Sequence, residues 1–346
     1  HSFPTRRSSD LFIGAMKILS FTELKELLTK VDLKSAIFIT NITYEFKVWR
    51  LFLLLSYFNC TLVAFGRGMY PSPKKNKNSK IKEIISSFDL KRMITGAKNK
   101  AAAMLKHFNI IKPYNLIFIS GSEGYHTLGF GNYYDLSSAK VINVNYFDYD
   151  KFLASTNGTP LIDKEYCVFL DEYLPYHPDI SITGIKTVSA ENYYPRLNEF
   201  FDLIESAYNI NVIIAAHPKA QKYKSENLFN GRQIFFNKTC ELVRDSMFVM
   251  THHSTSISFP ILFKKPIFFI SSQEQKIKMP QLYELTFHLS NVLNSSVIHF
   301  DTYQGEDIAL NVDIEKYEDY KYKYLTSKES EERQSSEIFI EAILQI

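Results

Sequence analysis

Short apolar runs rich in β-branched and aromatic residues alternate along this chain with longer amphipathic stretches. SAIFIT at 35–40 has the unbroken apolar pattern of a buried strand, and YEFKVWRLFLLLSYF at 44–58 then fits a helix. CTLVAFG at 60–66 is a second strand, and PSPKKNKNSKIK at 71–82 breaks the pattern as a polar, basic loop. A long helical region follows to about residue 107, and YNLIFIS at 114–120 and AKVINVN at 139–145 read as the third and fourth strands. TNGTPLID at 156–163 is rich in turn formers and marks the expected domain linker. Beyond it the rhythm restarts. YCVFL at 166–170 is a strand, and 191–209 suits an amphipathic helix with Pro195 near its first turn. NVIIAA, FVMT and PIFFIS are further strands, separated by helical pieces. The end, from about residue 313, is charged and helical, and no internal repeat is present.

Strands that alternate with helices predict parallel sheets. The fold class expected is therefore α/β, with two Rossmann-like domains facing across a cleft: residues 16–155, then residues 156–312. The C-terminal helices at 313–346 are expected to cross back to the first domain. In such sheets ligands bind beyond the carboxyl ends of the strands. The residues to interrogate are thus GRGMYP after the second strand, GSEG after the third, DEYLPYHPD after Leu170, HPKA after Ala216 and HHSTS after Thr251.

Composition trims this picture. Residues 1–11, HSFPTRRSSDL, match codon for codon one frame of a common sequencing adapter and are set aside as an artefact, so that native sequence is expected to begin between Phe12 and Met16. The rest of the 346 residues suits two domains, and an apolar fraction of 45% is ample for their cores. A balance of 40 Lys and Arg against 37 Asp and Glu gives no nucleic-acid footprint. The cysteines, Cys60, Cys167 and Cys240, are odd in number and far apart, without disulfide or zinc spacing. The apolar run at 51–58 is too short to span a bilayer, and no secretory signal follows the artefact. A cytoplasmic location fits, and the basic loop at 71–82 is a candidate contact for anionic lipid on the inner-membrane face.

The strand-end loops carry the candidate chemistry. In HPKA, His217 ends a buried strand, Pro218 stiffens the turn and Lys219 adds positive charge, a set suited to phosphate. The competing reading is a plain turn with a solvated lysine. In HHSTS, Ser254, Thr255 and Ser256 stand where a helix should start, with free N–H groups nearby to hold an anion. Capping explains one hydroxyl of the three. His252 and His253 are adjacent on an extended chain and so face opposite sides, which argues against a metal site. No G-x-S-x-G elbow marks a serine nucleophile. Asp171 and Glu172 end the first strand past the linker, where a carboxylate serves as a general base, accepts from sugar or ribose hydroxyls, or is simply a solvated loop acid. Glu123, flexed between glycines in GSEG, is a rival base from the first domain. The DYD at 148–150 resembles a metal-binding D-x-D, but capping of the following helix is the favoured reading.

In this order, an acid pair (Asp171, Glu172), an HP pair (His217, Pro218) and a hydroxyl set (Ser254, Thr255, Ser256) resemble the motifs of GT-B-fold bacterial sialyltransferases and polysialyltransferases. The HP and hydroxyl elements also occur in CDP-alditol phosphotransferases of teichoic-acid type, where the hydroxyl motif opens a helix ending near a K-P-I strand, as in ILFKKPIFFI here. The resemblance covers residues 166–271, and the first half only by architecture. It departs at Tyr173, where the sialyltransferase motif has glycine. It implies a metal-independent glycosyltransferase with no cofactor, moving a sugar from a nucleotide-activated donor, CMP-sugar favoured, to a growing surface glycan such as capsule or lipopolysaccharide. The first domain would hold the glycan or lipid-linked acceptor and the second the nucleotide. His217, Pro218, Lys219, His253 and Ser254 to Ser256 would meet nucleotide and phosphate, Glu172 would be a further donor-loop contact, and Asp171 or Glu123 would be the base. The alternatives are a CDP-glycerol or CDP-ribitol phosphotransferase, with His217 or His253 nearer the chemistry, and a catalytically silent binding subunit.

Overall fold

The computed structural model describes residues 17–73, 90–129, 132–182 and 186–345. The adapter-like residues, the expected start between Phe12 and Met16 and most of the basic loop at 71–82 lie outside them. Two compact units divide the chain, the first running to Met69 and from Lys75 to Asn143, the second comprising Tyr70–Lys74 and Val144–Ile346.

The first unit holds a four-stranded parallel sheet in the order β1 (Ile37–Thr40), β2 (Thr61–Gly66), β3 (Leu116–Ile119), β4 (Lys140–Asn143). The apolar runs of the sequence become strands because every position of β3 is buried, as a sheet covered on both faces requires. Leu62, Ala64, Ile117 and Ile119 share one face and pack with Leu28, Phe52, Leu55 and Ala102 from the helices Phe21–Lys30, Trp49–Tyr57 and Leu90–His107. At the carboxyl end of this sheet the loops after β2 and β3 meet backbone to backbone. A Cβ on Gly66 would stand 2.8 Å from the carbonyl oxygen of Gly124, and one on Gly124 would overlap the carbonyl oxygen of Gly66. Gly124→Ala is therefore expected to lower stability by about 1–3 kcal/mol, the usual effect of overpacking. Gly96→Ala, in a helix with nothing near its Cβ position, is expected to raise it by about 0.5–1 kcal/mol. Chemical denaturation of both variants checks the contrast, and equal midpoints would refute the close approach.

The second unit holds six parallel strands in the order β10-β9-β8-β5-β6-β7. These are β5 (Tyr166–Leu170), β6 (Asn211–Ala216), β7 (Ile234–Phe236), β8 (Val249–Thr251), β9 (Ile267–Ser271) and β10 (Val297–His299). The chain runs outward through β5, β6 and β7, then returns to lay β8, β9 and β10 on the other side of β5. This is the Rossmann-type order, and its reversal puts a crevice between β5 and β8, the place where such sheets bind ligands. Strands β7 and β10 escape the hydrophobic pattern because each is a half-buried, three-residue edge strand.

The boundary between units differs from the expected linker. Residues 144–155, expected in the first domain, belong to the second unit. The helix Phe147–Ser155 supplies Tyr149, Phe152 and Leu153 to a core with Ile257, Ile261 and Leu262, which also takes Tyr317 and Tyr320 from the C-terminal helix Ile314–Tyr320. TNGTPLID is thus a loop inside a unit, since turn residues report local backbone and say nothing of which core lies on either side. The last helix, Ser335–Ile343, meets the same segment, where Asp150 Oδ1 accepts from the Ser335 N–H at 2.9 Å. Neither acid of the DYD caps the helix Phe147–Ser155, whose N-cap is Tyr146. Asp148 accepts from the Ser258 hydroxyl instead. Cys60, Cys167 and Cys240 are free and buried. Among the described residues no helix is long and apolar enough to cross a membrane.

Candidate functional site

Three loops converge where β5 stands beside β8. The first begins at Asp171 and Glu172, immediately past β5. Tyr173 takes a left-handed backbone, with φ 56° and ψ 35°. That conformation costs an L-residue with a Cβ roughly 1–2 kcal/mol, and glycine adopts it freely. Here the turn is held by Asp171 Oδ1, which accepts from the Tyr173 N–H at 3.0 Å, and by the Tyr173 ring packing edge-on against Tyr223 at 5.2 Å.

Asp171 is 4% exposed. Its second oxygen accepts from the His217 N–H at 3.4 Å, so this carboxylate ties the DEY turn to the HPK turn. Burial pushes it up to about 7, against the pull of those N–H groups. With both oxygens engaged inside the protein, its geometry is that of a positioning residue.

Glu172 laces β5 to β8. Oε1 accepts from the His253 N–H at 2.6 Å and from the Thr251 hydroxyl at 3.3 Å, while Oε2 stands 3.0 Å from His253 Nδ1 without the alignment of a hydrogen bond. Burial raises the Glu172 carboxyl and lowers the His253 imidazole to about 4, so the low dielectric disfavours charge on both. The two histidines have different surroundings. His252 is fully buried, its Nδ1 2.8 Å from the Ile270 carbonyl and its Nε2 2.8 Å from the Tyr193 hydroxyl. The carbonyl can only accept, so Nδ1 carries the proton and Tyr193 donates to Nε2. His252 is a core residue, and His253 is the one at the crevice.

The HPK turn follows β6. His217 Nδ1 accepts from the Lys219 N–H at 3.2 Å, and burial lowers its imidazole to about 4. Lys219 is not a free cation: its Nζ lies 2.9 Å from both oxygens of Asp179. The expected lysine contact with phosphate therefore competes with an ion pair already made. The His217 ring lies 4.8 Å from the ring of His177, at the start of a second His-Pro dipeptide.

After β8, Ser254 Oγ accepts from the Ser256 N–H at 3.2 Å and caps the short turn Thr255–Ile257. The Thr255 and Ser256 hydroxyls make no hydrogen bond among the described residues, and they are the donors available to an anion here. Tyr70 donates to the His253 carbonyl at 2.7 Å and so anchors this loop from the segment Tyr70–Lys74.

Glu123 lies in the first unit, on the loop after β3, 3.1 Å from His126 Nε2 and partly exposed. The structure thus brings Asp171, Glu172, His217 and His253 together by direct contact, with Ser254 to Ser256 following His253 in the same loop, and leaves Glu123 in the other unit. Sequence reasoning missed His177, Tyr70 and Tyr193. His177 and Tyr70 stand in the marked DEYLPYHPD and GRGMYP loops, His177 also in the repeated HP dipeptide, whereas Tyr193 carried no signal. Among the described residues no three His, Cys, Asp or Glu side chains are grouped to hold a metal ion.

No protein-family model matches the chain, and no curated protein matches it in sequence. Among solved structures it is similar to the UDP-GlcNAc 2-epimerase of Methanocaldococcus jannaschii, at 13% identity and a TM-score of 0.44, over 94% of this chain and 82% of that one. It is similar to CalG4, the calicheamicin glycosyltransferase, at 11% identity and a TM-score of 0.42, over 85% and 70% of the two chains. A third is the Escherichia coli heptosyltransferase WaaC, at 13% identity and a TM-score of 0.29, over 68% and 89%.

Proposed function

We propose that this protein is a metal-independent glycosyltransferase of surface-polysaccharide assembly, with its nucleotide-activated donor, a CMP-sugar by preference, held in the second unit. The observation that carries the reading is the meeting of the DEY, HPK and HHSTS loops at the topological switch point of a Rossmann-type sheet, with imidazoles kept neutral by burial and two unbonded hydroxyls beside them. Negative charge develops on the departing phosphate, and donors already in place stabilise it without reorganisation. His217, His253, Thr255 and Ser256 take that part, Pro218 stiffens the turn, and Ser254 shapes the cradle. Asp171 and Glu172 hold the loops in register, and Lys219 contributes to the field of the site through its pair with Asp179. Glu123 is the base proposed for the acceptor hydroxyl, with the glycan or lipid-linked acceptor on the first unit. The protein would work in the cytoplasm, at the inner face of the membrane where such acceptors are presented.

A second reading has its own observation. Glu172 Oε2 stands 3.0 Å from His253 Nδ1, and a small turn of the ring that closed this contact into a hydrogen bond would put the proton on Nδ1 and leave Nε2 as a base. That suits phosphotransfer from a CDP-alditol, with His253 deprotonating the acceptor hydroxyl.

Calorimetric titration with CMP, UDP and GDP tests both readings. The expected result is binding of CMP, weakened roughly tenfold or more in His217→Asn through loss of a hydrogen bond to a charged group. Binding of none of the three nucleotides would sink both enzyme readings and leave a silent binding subunit. Mass spectrometry of products from CMP-sugar and CDP-glycerol donors then separates the two transferases.

A further inference from the structure

His177-Pro178-Asp179 and His217-Pro218-Lys219 are two copies of one turn. In each, the histidine Nδ1 accepts the N–H of the residue two positions on, at 3.2 Å in both. In each, a proline stands between donor and acceptor and stiffens the turn. The third residues of the two turns pair with each other, Lys219 Nζ lying 2.9 Å from both carboxylate oxygens of Asp179. The rings themselves are 4.8 Å apart, edge to face. The two turns come from different parts of the chain, one after β5 and one after β6, and the ion pair joins them.

This geometry fixes the chemistry of both imidazoles. A nitrogen that accepts a backbone N–H carries no proton, so each neutral ring has its proton on Nε2. Neither Nε2 makes a hydrogen bond among the described residues, and both rings are half-buried. Burial lowers both imidazoles, and the neighbouring Lys219 adds to this while Asp179 opposes it. His217 carries a further cost from the His177 ring, and so does His253 in the loop after β8. Two neutral imidazoles with a proton on Nε2 therefore lie with ring centroids 4.8 Å apart, on turns at strand carboxyl ends that are held in place.

We propose that His177 is a second phosphoryl-binding residue and that the paired His-Pro turns form a bis-imidazole clamp for a phosphoryl group, pinned by the Asp179–Lys219 ion pair. Naming this clamp as the donor's phosphate site rests on the nucleotide reading above. The clamp itself rests on the two turns alone. Lys219 then acts by pinning the turns rather than by touching phosphate, which accounts for a lysine in the HPK motif whose charge is already paired.

Asparagine is the diagnostic replacement. Its side-chain oxygen can accept the same backbone N–H in an Asx-turn, so the turn is kept while the Nε2 donor is lost. Calorimetry on the full chain would compare wild type, His177→Asn and His217→Asn, using cytidine, CMP, CDP, inorganic phosphate and pyrophosphate as probes, with thermal melting to confirm that each variant is folded. The expected result is a loss of roughly ten- to a hundredfold in affinity for every phosphate-bearing ligand in both variants, the scale of one hydrogen bond to a charged group. Cytidine binding should be unmoved. Phosphate affinity unchanged in His177→Asn but reduced in His217→Asn overturns the clamp and leaves the nucleotide reading standing. Binding of pyrophosphate or phosphate that depends on both histidines, with no nucleotide bound, supports the clamp and overturns that reading. No phosphate-bearing ligand bound by the wild type overturns both. CDP and pyrophosphate losing more than CMP and phosphate would identify the clamp as a diphosphate site.

Discussion

Lys106→Met is expected to destabilise the protein by about 3–5 kcal/mol, the cost of leaving a buried charge without its partner. Lys106 Nζ lies 2.7 and 2.6 Å from the two oxygens of Asp135, and both side chains are 1% exposed. The ammonium also faces the rings of Tyr44 at 4.4 Å and Tyr114 at 4.5 Å. Burial lowers the lysine and raises the aspartate, and their mutual attraction opposes both shifts. The pair ties the helix Leu90–His107 to the helix Asn132–Ser138, and Asp135 accepts in addition from the Tyr114 N–H at 3.3 Å beside β3. Methionine fills the lysine's space but leaves the carboxylate facing aromatic rings. The double variant Lys106→Met with Asp135→Asn keeps an acceptor for Tyr114 and removes both charges, and it is expected to recover most of the loss. Urea unfolding of the three proteins measures this. A single variant within 1 kcal/mol of wild type would show that the pair is solvated and does not hold the unit together.

Glu172→Ala is expected to cost the second unit about 2–4 kcal/mol and to abolish ligand binding, because the buried His253 N–H and Thr251 hydroxyl lose their acceptor. The loop after β8 then loses its side-chain tie to β5 and keeps the Tyr70 hydrogen bond to the His253 carbonyl, and His253 and the hydroxyls after it are expected to lose their register with His217. Glu172→Gln separates this positioning part from chemistry. Its oxygen still accepts from His253 and Thr251, so stability should stay close to wild type. Its amide donates toward His253 Nδ1, which leaves the imidazole proton on Nε2. If His253 binds phosphate through an Nε2–H, nucleotide affinity in Glu172→Gln stays within about tenfold of wild type, which is the expected result. If His253 is a base, affinity survives and the transfer rate falls by roughly 10²–10⁴-fold. The second outcome would move the reaction to the phosphotransfer reading.

Much of the site was legible along the chain because it depends on local rules. Apolar runs of four to six residues end abruptly, and in parallel sheets the residues at those ends face the ligand side, so the DEY, HPK and HHSTS loops were marked without coordinates. Adjacency along the chain led to the expectation that His252 and His253 would have different partners, and they do. Other features were not local. That His252 is the core residue follows from Tyr193 and Ile270, neither of which is signalled near the motif. That Asp171 fastens a turn follows from the approach of His217 from another strand. That Lys219 is paired follows from Asp179, which sequence reading had passed over with His177.

The sequence by itself determined the α/β class, the alternation of strand and helix, the positions of the candidate loops and the types of chemistry they carry, because periodicity and strand ends are properties of the chain within a few residues. The tertiary structure decided which of those loops belong to one site. The strand order that lays β8 against β5, the assignment of residues 144–155 to the second unit, and the pairing of the two His-Pro turns all come from contacts between residues tens of positions apart. Such contacts depend on how the sheet order reverses and on which core each helix buries its apolar side in, and neither is written in any local stretch of the chain.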